Sequence, residues 1–244
     1  MRLANIYPVA NQELYREESV VMILAHLAKK GLYRSESFNP HAYTIMDNGL
    51  FEGEQVSTSL QACVDIAENS GVLVDEIIIP DTVNSLKETQ ELFIKNLPTI
   101  HKYNKKYVFM AVAQANNYAE LRSMIHFYNA WAAHFRLTIG ISKLAPFDRS
   151  SEEAIDIYRE CMFPIHLLGL KDTFEELDPV RKIVRSCDTS QLAYIAKHEN
   201  VSALTAQDIW KYTRDEKAKA PIDLEHDKLN SEDLYELRNK LCGV

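Results

Sequence analysis

The sequence predicts an α/β protein, a (β/α)8 TIM-like barrel of regular or irregular form, with helices at its C-terminal end. Three observations lead there. Short β-rich runs alternate with amphipathic segments over roughly two hundred residues, the pattern of an all-parallel α/β fold. The runs are rich in β-branched, aromatic and aliphatic residues, as buried parallel strands are. A polar residue closes or follows several of them, at the end where a barrel has its mouth. The rival is a doubly wound open sheet. The first run is not followed by G-x-G-x-x-G, which weakens a dinucleotide-binding form of that rival.

In chain order, strands are expected at Leu3–Tyr7, Tyr43–Met46, Glu76–Ile79, Tyr107–Ala113, Leu137–Ile141, Ile165–Leu168 and Ile183–Arg185. Seven strands leave a barrel one short. The eighth is expected near the C-terminus, unless the barrel is irregular. Between the strands lie helical patterns: Asn116–His134 puts Leu121, Met124, Ile125, Tyr128 and Ala132 on one stripe. Ser85 with Glu88, Ser150 with Glu153, and Thr173 with Glu176 have the spacing of capping boxes. From about Val201 the chain reads as helical, with helices at Thr205–Arg214 and Ser231–Leu241. The charged stretch Glu216–Asp227, with Pro221, is expected to be an exposed connection whose Asp223, Glu225 and Asp227 point to solvent or a partner surface. The domain reading is a barrel over 1–200 and a C-terminal helical extension of the same domain over 201–244.

Composition narrows the function classes. Of 244 residues, 46% are hydrophobic and 25% charged, ordinary values for a globular chain. Lys+Arg 27 against Asp+Glu 35 gives a net charge of −8, so nucleic acid is not held by bulk charge and any such contact needs a local basic patch. Cys63, Cys161, Cys187 and Cys242 form neither a C-x-x-C pair nor a zinc-spaced Cys/His cluster, and read as reduced thiols of a cytoplasmic protein. No signal-peptide core opens the sequence, and no stretch is long and apolar enough to span a membrane.

The chemistry is expected at the strand ends. Asp47 ends the second expected strand, Asp81 the third and Gln114 the fourth; Gly140 lies at the end of the fifth, and Asp188 follows the seventh. In a parallel barrel all of these converge on one mouth. Three carboxylates at one mouth repel unless they work or bind something. Each also has a purely structural use: Asp81 and Asp188 as helix N-caps, Asp47 as a turn residue before Asn48-Gly49. A metal site from three acids lacks a nearby His to complete a familiar set. His166, inside a strand, reads as a packed histidine or one that supports the site from behind.

Six segments in register carry a resemblance. Asp47-x-Gly49-x-Phe51 looks like an Asp-Ser-Gly-Gly-Phe-Gln signature. Asp75 and Asp81 flank an apolar strand whose final Asp would read a base. Ala113-Gln114-Ala115-Asn116, with Leu121-Arg122, resembles a Val-Gln-Gly segment and its Leu-Arg helix. Ile139-Gly140-Ile141 resembles Gly-Gly-Leu, and His166-Leu167-Leu168-Gly169-Leu170 resembles Tyr-Leu-Met-Gly-Val. Cys187-Asp188 falls where a nucleophilic Asp is expected. Over residues 43–190 this order is similar to that of the tRNA-guanine transglycosylase superfamily. Glu52 replaces the family Gln, Leu50 replaces a Gly, and Asp188-Thr189-Ser190 lacks the Pro-Thr-Arg of the tRNA enzymes. The short chain without the zinc module looks most like the DNA-guanine transglycosylases of phages and bacterial genomic islands.

The resemblance implies exchange of guanine in DNA for a free 7-deazaguanine such as 7-cyano-7-deazaguanine, without cofactor or metal. Asp188 would be the nucleophile and Asp47 the general acid/base. Asp81, Gln114, Gly140, Phe51, Asn48 and Leu168 would bind the base: Asp81 at its N1–H and amine, Gln114 and the Gly140 N–H on the O6 side, Phe51 and Leu168 on its faces. Lys143, Arg149, Lys171 and Arg185 would meet phosphate. The partners implied are DNA, with tRNA as the alternative, the free base and an accessory protein, in the cytoplasm of the cell or of a phage's host. The competing readings are a tRNA enzyme, a barrel lyase or aldolase, and a non-catalytic barrel that binds as a subunit.

Overall fold

The structure is a computed structural model that describes residues 1–49, 59–171, 173–213 and 222–242. Eight parallel strands close a barrel in chain order: β1 (Arg2–Asn5), β2 (Val20–Leu24), β3 (Tyr43–Asp47), β4 (Glu76–Ile78), β5 (Val108–Ala113), β6 (Leu137–Ser142), β7 (Ile165–Leu168) and β8 (Ser186–Thr189). β8 pairs with β1 and completes the ring. The fold is the expected (β/α)8 TIM-like barrel.

Two strands differ from the sequence reading. The missing strand is β2, near the N-terminus rather than the C-terminus. Its Val-Val-Met-Ile-Leu run passes without a turn residue into the short helix α1 (Ala25–Lys29), so no punctuation separates strand from helix. Pairing on both sides defines it, from Val20↔Tyr43 to Leu24↔Asp47 against β3 and Asn5↔Val21 against β1. The last strand is Ser186–Thr189, not Ile183–Arg185. Ile183 and Val184 both donate their backbone N–H to the Val180 carbonyl in the turn before it. Ser-Cys-Asp-Thr reads as loop because two of its side chains are polar and enter the barrel.

The remaining helices are α2 (Leu60–Asn69), α3 (Leu86–Tyr103), α4 (Tyr118–Asn129), α5 (Glu152–Glu160), α6 (Gln191–His198), α7 (Ala206–Trp210) and α8 (Ser231–Cys242). Ser85 caps α3 as expected, accepting the Glu88 N–H. The α5 cap is Ser151, one residue beyond the expected Ser150. Thr173 caps only a 3-10 turn, Phe174–Leu177, which stands between β7 and β8. The stripe on α4 is buried as expected through Tyr128, whose hydroxyl donates to the Val112 carbonyl and ties α4 to β5. Ala132 falls beyond the end of that helix.

The apolar interior has two parts. A large layer lies between strands and helices, as every surface helix buries one stripe. A smaller cluster fills the barrel: Ala4, Ile6, Val20, Met22, Ile45, Ile78, Met110 and Val112, all on or beside β1 to β5. On the other side of the barrel, β6 to β8 bury Thr138, His166, Ser186 and Asp188. That polar side carries the site.

The C-terminal segment is built into the molecule. α8 packs on α6 and α7 and against the 3-10 turn Val9–Glu17, with Leu234 and Leu237 fully buried. Before it, the chain crosses the barrel mouth: the Val9 N–H donates to the Leu224 carbonyl, and Leu224 lines the pocket. Glu225 pairs with Lys30 and Asp227 with Lys197, so these two carboxylates face the protein's own lysines.

Candidate active site

The C-terminal ends of the strands open on one pocket, about 820 Å³ including its open mouth. Asp47, Asn48, Asp81, Gln114, Lys143, Leu168 and Asp188, seven of the expected residues, line it together. They come from six of the eight strands, β3 to β8, and the turns after them, as a closed parallel barrel requires.

Asp47 is the last residue of β3. Its Oδ1 accepts the Gly49 N–H at 3.3 Å, so the turn use foreseen for it is present. The Asn48 amide donates to Asp81 Oδ1 at 3.4 Å, and the Gln114 amide donates to Asp81 Oδ2 at 2.6 Å. Gln114 is itself oriented, since its Oε1 accepts the Asn84 N–H. Asp81 is not a helix cap, because Ser85 fills that place on α3. Burial pushes the Asp81 carboxyl above its ordinary range, against the downward pull of the Gln114 and Asn48 amides.

Asp188 lies in β8 and is buried. Its Oδ1 accepts the Gly169 N–H at 2.9 Å and lies 3.0 Å from His166 Nε2. Among the described residues Oδ2 has no hydrogen-bond partner, so one oxygen is pinned and the other is left to meet a ligand. Asp188 is not a helix cap either: the N-cap position of α6 is Ser190. Gly169 aims its N–H from a turn at φ 70°, a conformation that favours glycine, and a Cβ there would stand 2.6 Å from Lys143 Cδ, so the lysine side chain would have to shift.

Several expectations are not brought to the pocket. Gly140 lies inside β6, paired with Val112 and His166, and the lining on that strand begins at Ser142. A Cβ at Gly140 would meet Leu168 Cδ1 at 2.8 Å and Met110 Sδ at 3.0 Å, so this glycine makes room for packing within the barrel. Arg149 is buried and bonded to three carbonyls and to Glu176. Arg185 lies at the start of β8, at the floor of the barrel, paired with Glu76. Neither is placed to meet phosphate. Lys171 lies past the end of β7, with its ammonium on the Ala145 and Phe147 carbonyls. Phe51, Leu50 and Glu52 lie outside the described residues.

Sequence reasoning missed the Gly169 N–H, Ser142 and Leu224. Gly169 was visible as a glycine directly after a strand. Leu224 had no signal, because its neighbours are charged and its contacts are far away in the chain. Among the described residues, no group of three or more His, Cys, Asp or Glu is arranged to hold a metal ion, and no helix is long and apolar enough to cross a membrane. No protein-family model matches the chain, and no curated protein does.

Proposed function

We propose that this barrel is a pentosyltransferase that exchanges guanine in DNA for a free 7-deazaguanine base through a covalent Asp188–sugar intermediate. One observation carries the reading. Asp47, Asp81 and Asp188 share a single pocket, and neither Asp81 nor Asp188 is used as a helix cap. The order of the motifs along the chain supports the same assignment.

In the first displacement, Asp188 Oδ2 attacks C1′ of the target nucleoside. The bond from C1′ to the base nitrogen breaks, its electron pair goes to the base, and Asp47 delivers a proton to the departing guanine. In the second, the incoming base gives a proton to Asp47, its ring nitrogen attacks C1′, and the Asp188 ester bond breaks. Two inversions restore the β-configuration, as in a retaining glycosidase. Asp81 accepts from the guanine N1–H and exocyclic amine. Those donors favour the ionised carboxylate against the burial that opposes it, so an adenine in the same place leaves a buried charge poorly paired. The target base must leave its stack to enter. Lys143, on the pocket wall, and Lys171, on the same face, are the expected phosphate contacts.

The experiment is incubation of the pure protein with radiolabelled guanine or 7-cyano-7-deazaguanine, with DNA and tRNA in parallel and Asp188→Ala as control. Label in DNA that disappears in the variant is the expected result. Label in tRNA changes the polymer and keeps the chemistry. No label in either, and no covalent adduct with a guanine-containing oligonucleotide, removes the reading.

A further inference from the structure

We infer that Arg185, Ser186 and His166 form a one-way chain of hydrogen-bond donors running up the inside of the barrel, which fixes His166 as a donor to Asp188. The chain begins at the floor. Arg185 is anchored there by Glu76 Oε2 at 2.8 Å and by Thr138 Oγ1 at 3.1 Å. Its Nε lies 3.2 Å from Ser186 Oγ, Ser186 Oγ lies 2.7 Å from His166 Nδ1, and His166 Nε2 lies 3.0 Å from Asp188 Oδ1. Ser186 and His166 are essentially fully buried. Glu76, also fully buried, faces the guanidinium at one end, and Asp188 faces the imidazole at the other.

The direction of each bond follows from donor chemistry. A guanidinium only donates, so the Ser186 oxygen accepts from Arg185. Among the described residues the buried Ser186 hydroxyl meets no other acceptor, so its proton goes to the 2.7 Å neighbour, His166 Nδ1, which accepts it. The remaining imidazole proton sits on Nε2, where the Asp188 carboxylate accepts it. Every donor points from the floor toward the mouth, and a neutral imidazole with its proton on Nε2 satisfies every partner.

The consequence for catalysis rests on the reading of Asp188 as nucleophile. His166 is then a positioning residue. With the Gly169 N–H it holds Oδ1 and leaves Oδ2 aimed at the sugar. Arg185, expected at phosphate from the sequence, serves the site from the opposite end of the barrel.

Two measurements test this. The first uses protein alone: long-range ¹H–¹⁵N spectra of ¹⁵N-histidine-labelled wild type and Ser186→Ala. The expected result is a neutral His166 protonated on Nε2, with that preference lost in Ser186→Ala. A proton on Nδ1, or on both nitrogens, in the wild type overturns the chain. The second compares His166→Leu with His166→Gln in the label-exchange assay. Loss of a hydrogen bond to a charged group predicts a fall in kcat of about 10- to 100-fold for Leu. KM for the oligonucleotide should stay unchanged, and the Gln side chain, which keeps a donor near Nε2, should recover most of the rate. Equal loss in two folded variants overturns the positioning role. Absence of exchange in the wild type overturns the proposed function instead, and the tautomer measurement still decides the chain.

Discussion

Arg149 stands just past β6, where a basic residue suggests a phosphate contact, yet its side chain is only 2% exposed. Its guanidinium joins the carbonyls of Ile141, Leu168 and Gly169 to the Glu176 carboxylate, which binds the turns after β6 and β7 to each other. Removing it takes the guanidinium away from the three carbonyls and from the Glu176 carboxylate it pairs, so Arg149→Met should lower stability by about 3–5 kcal/mol. Arg149→Lys should recover little, because a single ammonium cannot span the fork. Urea unfolding checks both, and a loss below about 1 kcal/mol would contradict the network. Asp81 makes the second residue-scale prediction. Its carboxyl sits above the ordinary range because of burial. A raised carboxyl stabilises the fold when protonated, below the unfolded value of about 3.9, and loses that contribution as the pH rises through the folded value. The stability of wild type relative to Asp81→Asn should therefore fall as the pH climbs from about 4, measured by urea unfolding at a series of pH values. A flat difference would show that the carboxyl does not titrate abnormally. The carboxylates and Gln114 were legible from their places after strands. The donors around them were not, because a backbone N–H such as that of Gly169 carries no residue-specific signal.

At the scale of elements, capping spacing located the α5 start within one residue. Both Ser150 and Ser151 precede a pair of glutamates, and backbone dihedrals decide which becomes the cap. Ser151 accepts the Ala154 N–H, while the Ser150 hydroxyl donates to Asp148 in the preceding turn. Ser151→Ala should cost about 1 kcal/mol, and Ser150→Ala less than about half of that, by thermal or urea unfolding. The reverse order would mean the helix begins one residue earlier. β2 and β8 mark the opposite limits of legibility. β2 is apolar throughout and flows into a helix, so its hydrophobic run has no period that separates strand from helix. β8 is polar because half of it faces the lumen at the site, and propensity alone disfavours it. Both are strands because neighbours on each side supply the missing hydrogen bonds.

At the scale of the molecule, the C-terminal residues close the structure rather than trail from it. Asn11 and Leu229 exchange two hydrogen bonds of 2.9 Å across most of the chain length, and α8 buries Leu234 and Leu237. Leu237→Ala should lower stability by about 2–5 kcal/mol although the residue lies far from the barrel strands in sequence. An effect below about 1 kcal/mol, read from the urea midpoint of barrel unfolding, would mean that α8 and the barrel are energetically separate.

The sequence by itself determined the α/β class, the parallel arrangement, six of the eight strands and the carboxylates that meet in the pocket. Those features are local: periodicity, composition and the residue after each strand follow from the chain's immediate neighbours. Only the tertiary structure decided that β2 and Ser186–Thr189 are strands, that Arg149 and Arg185 serve the interior, that Leu224 reaches the mouth and that His166 meets Asp188. Each depends on a partner distant in the chain, such as the pairing of β8 with β1 or of His166 with Ser186, and such contacts arise only when the barrel closes.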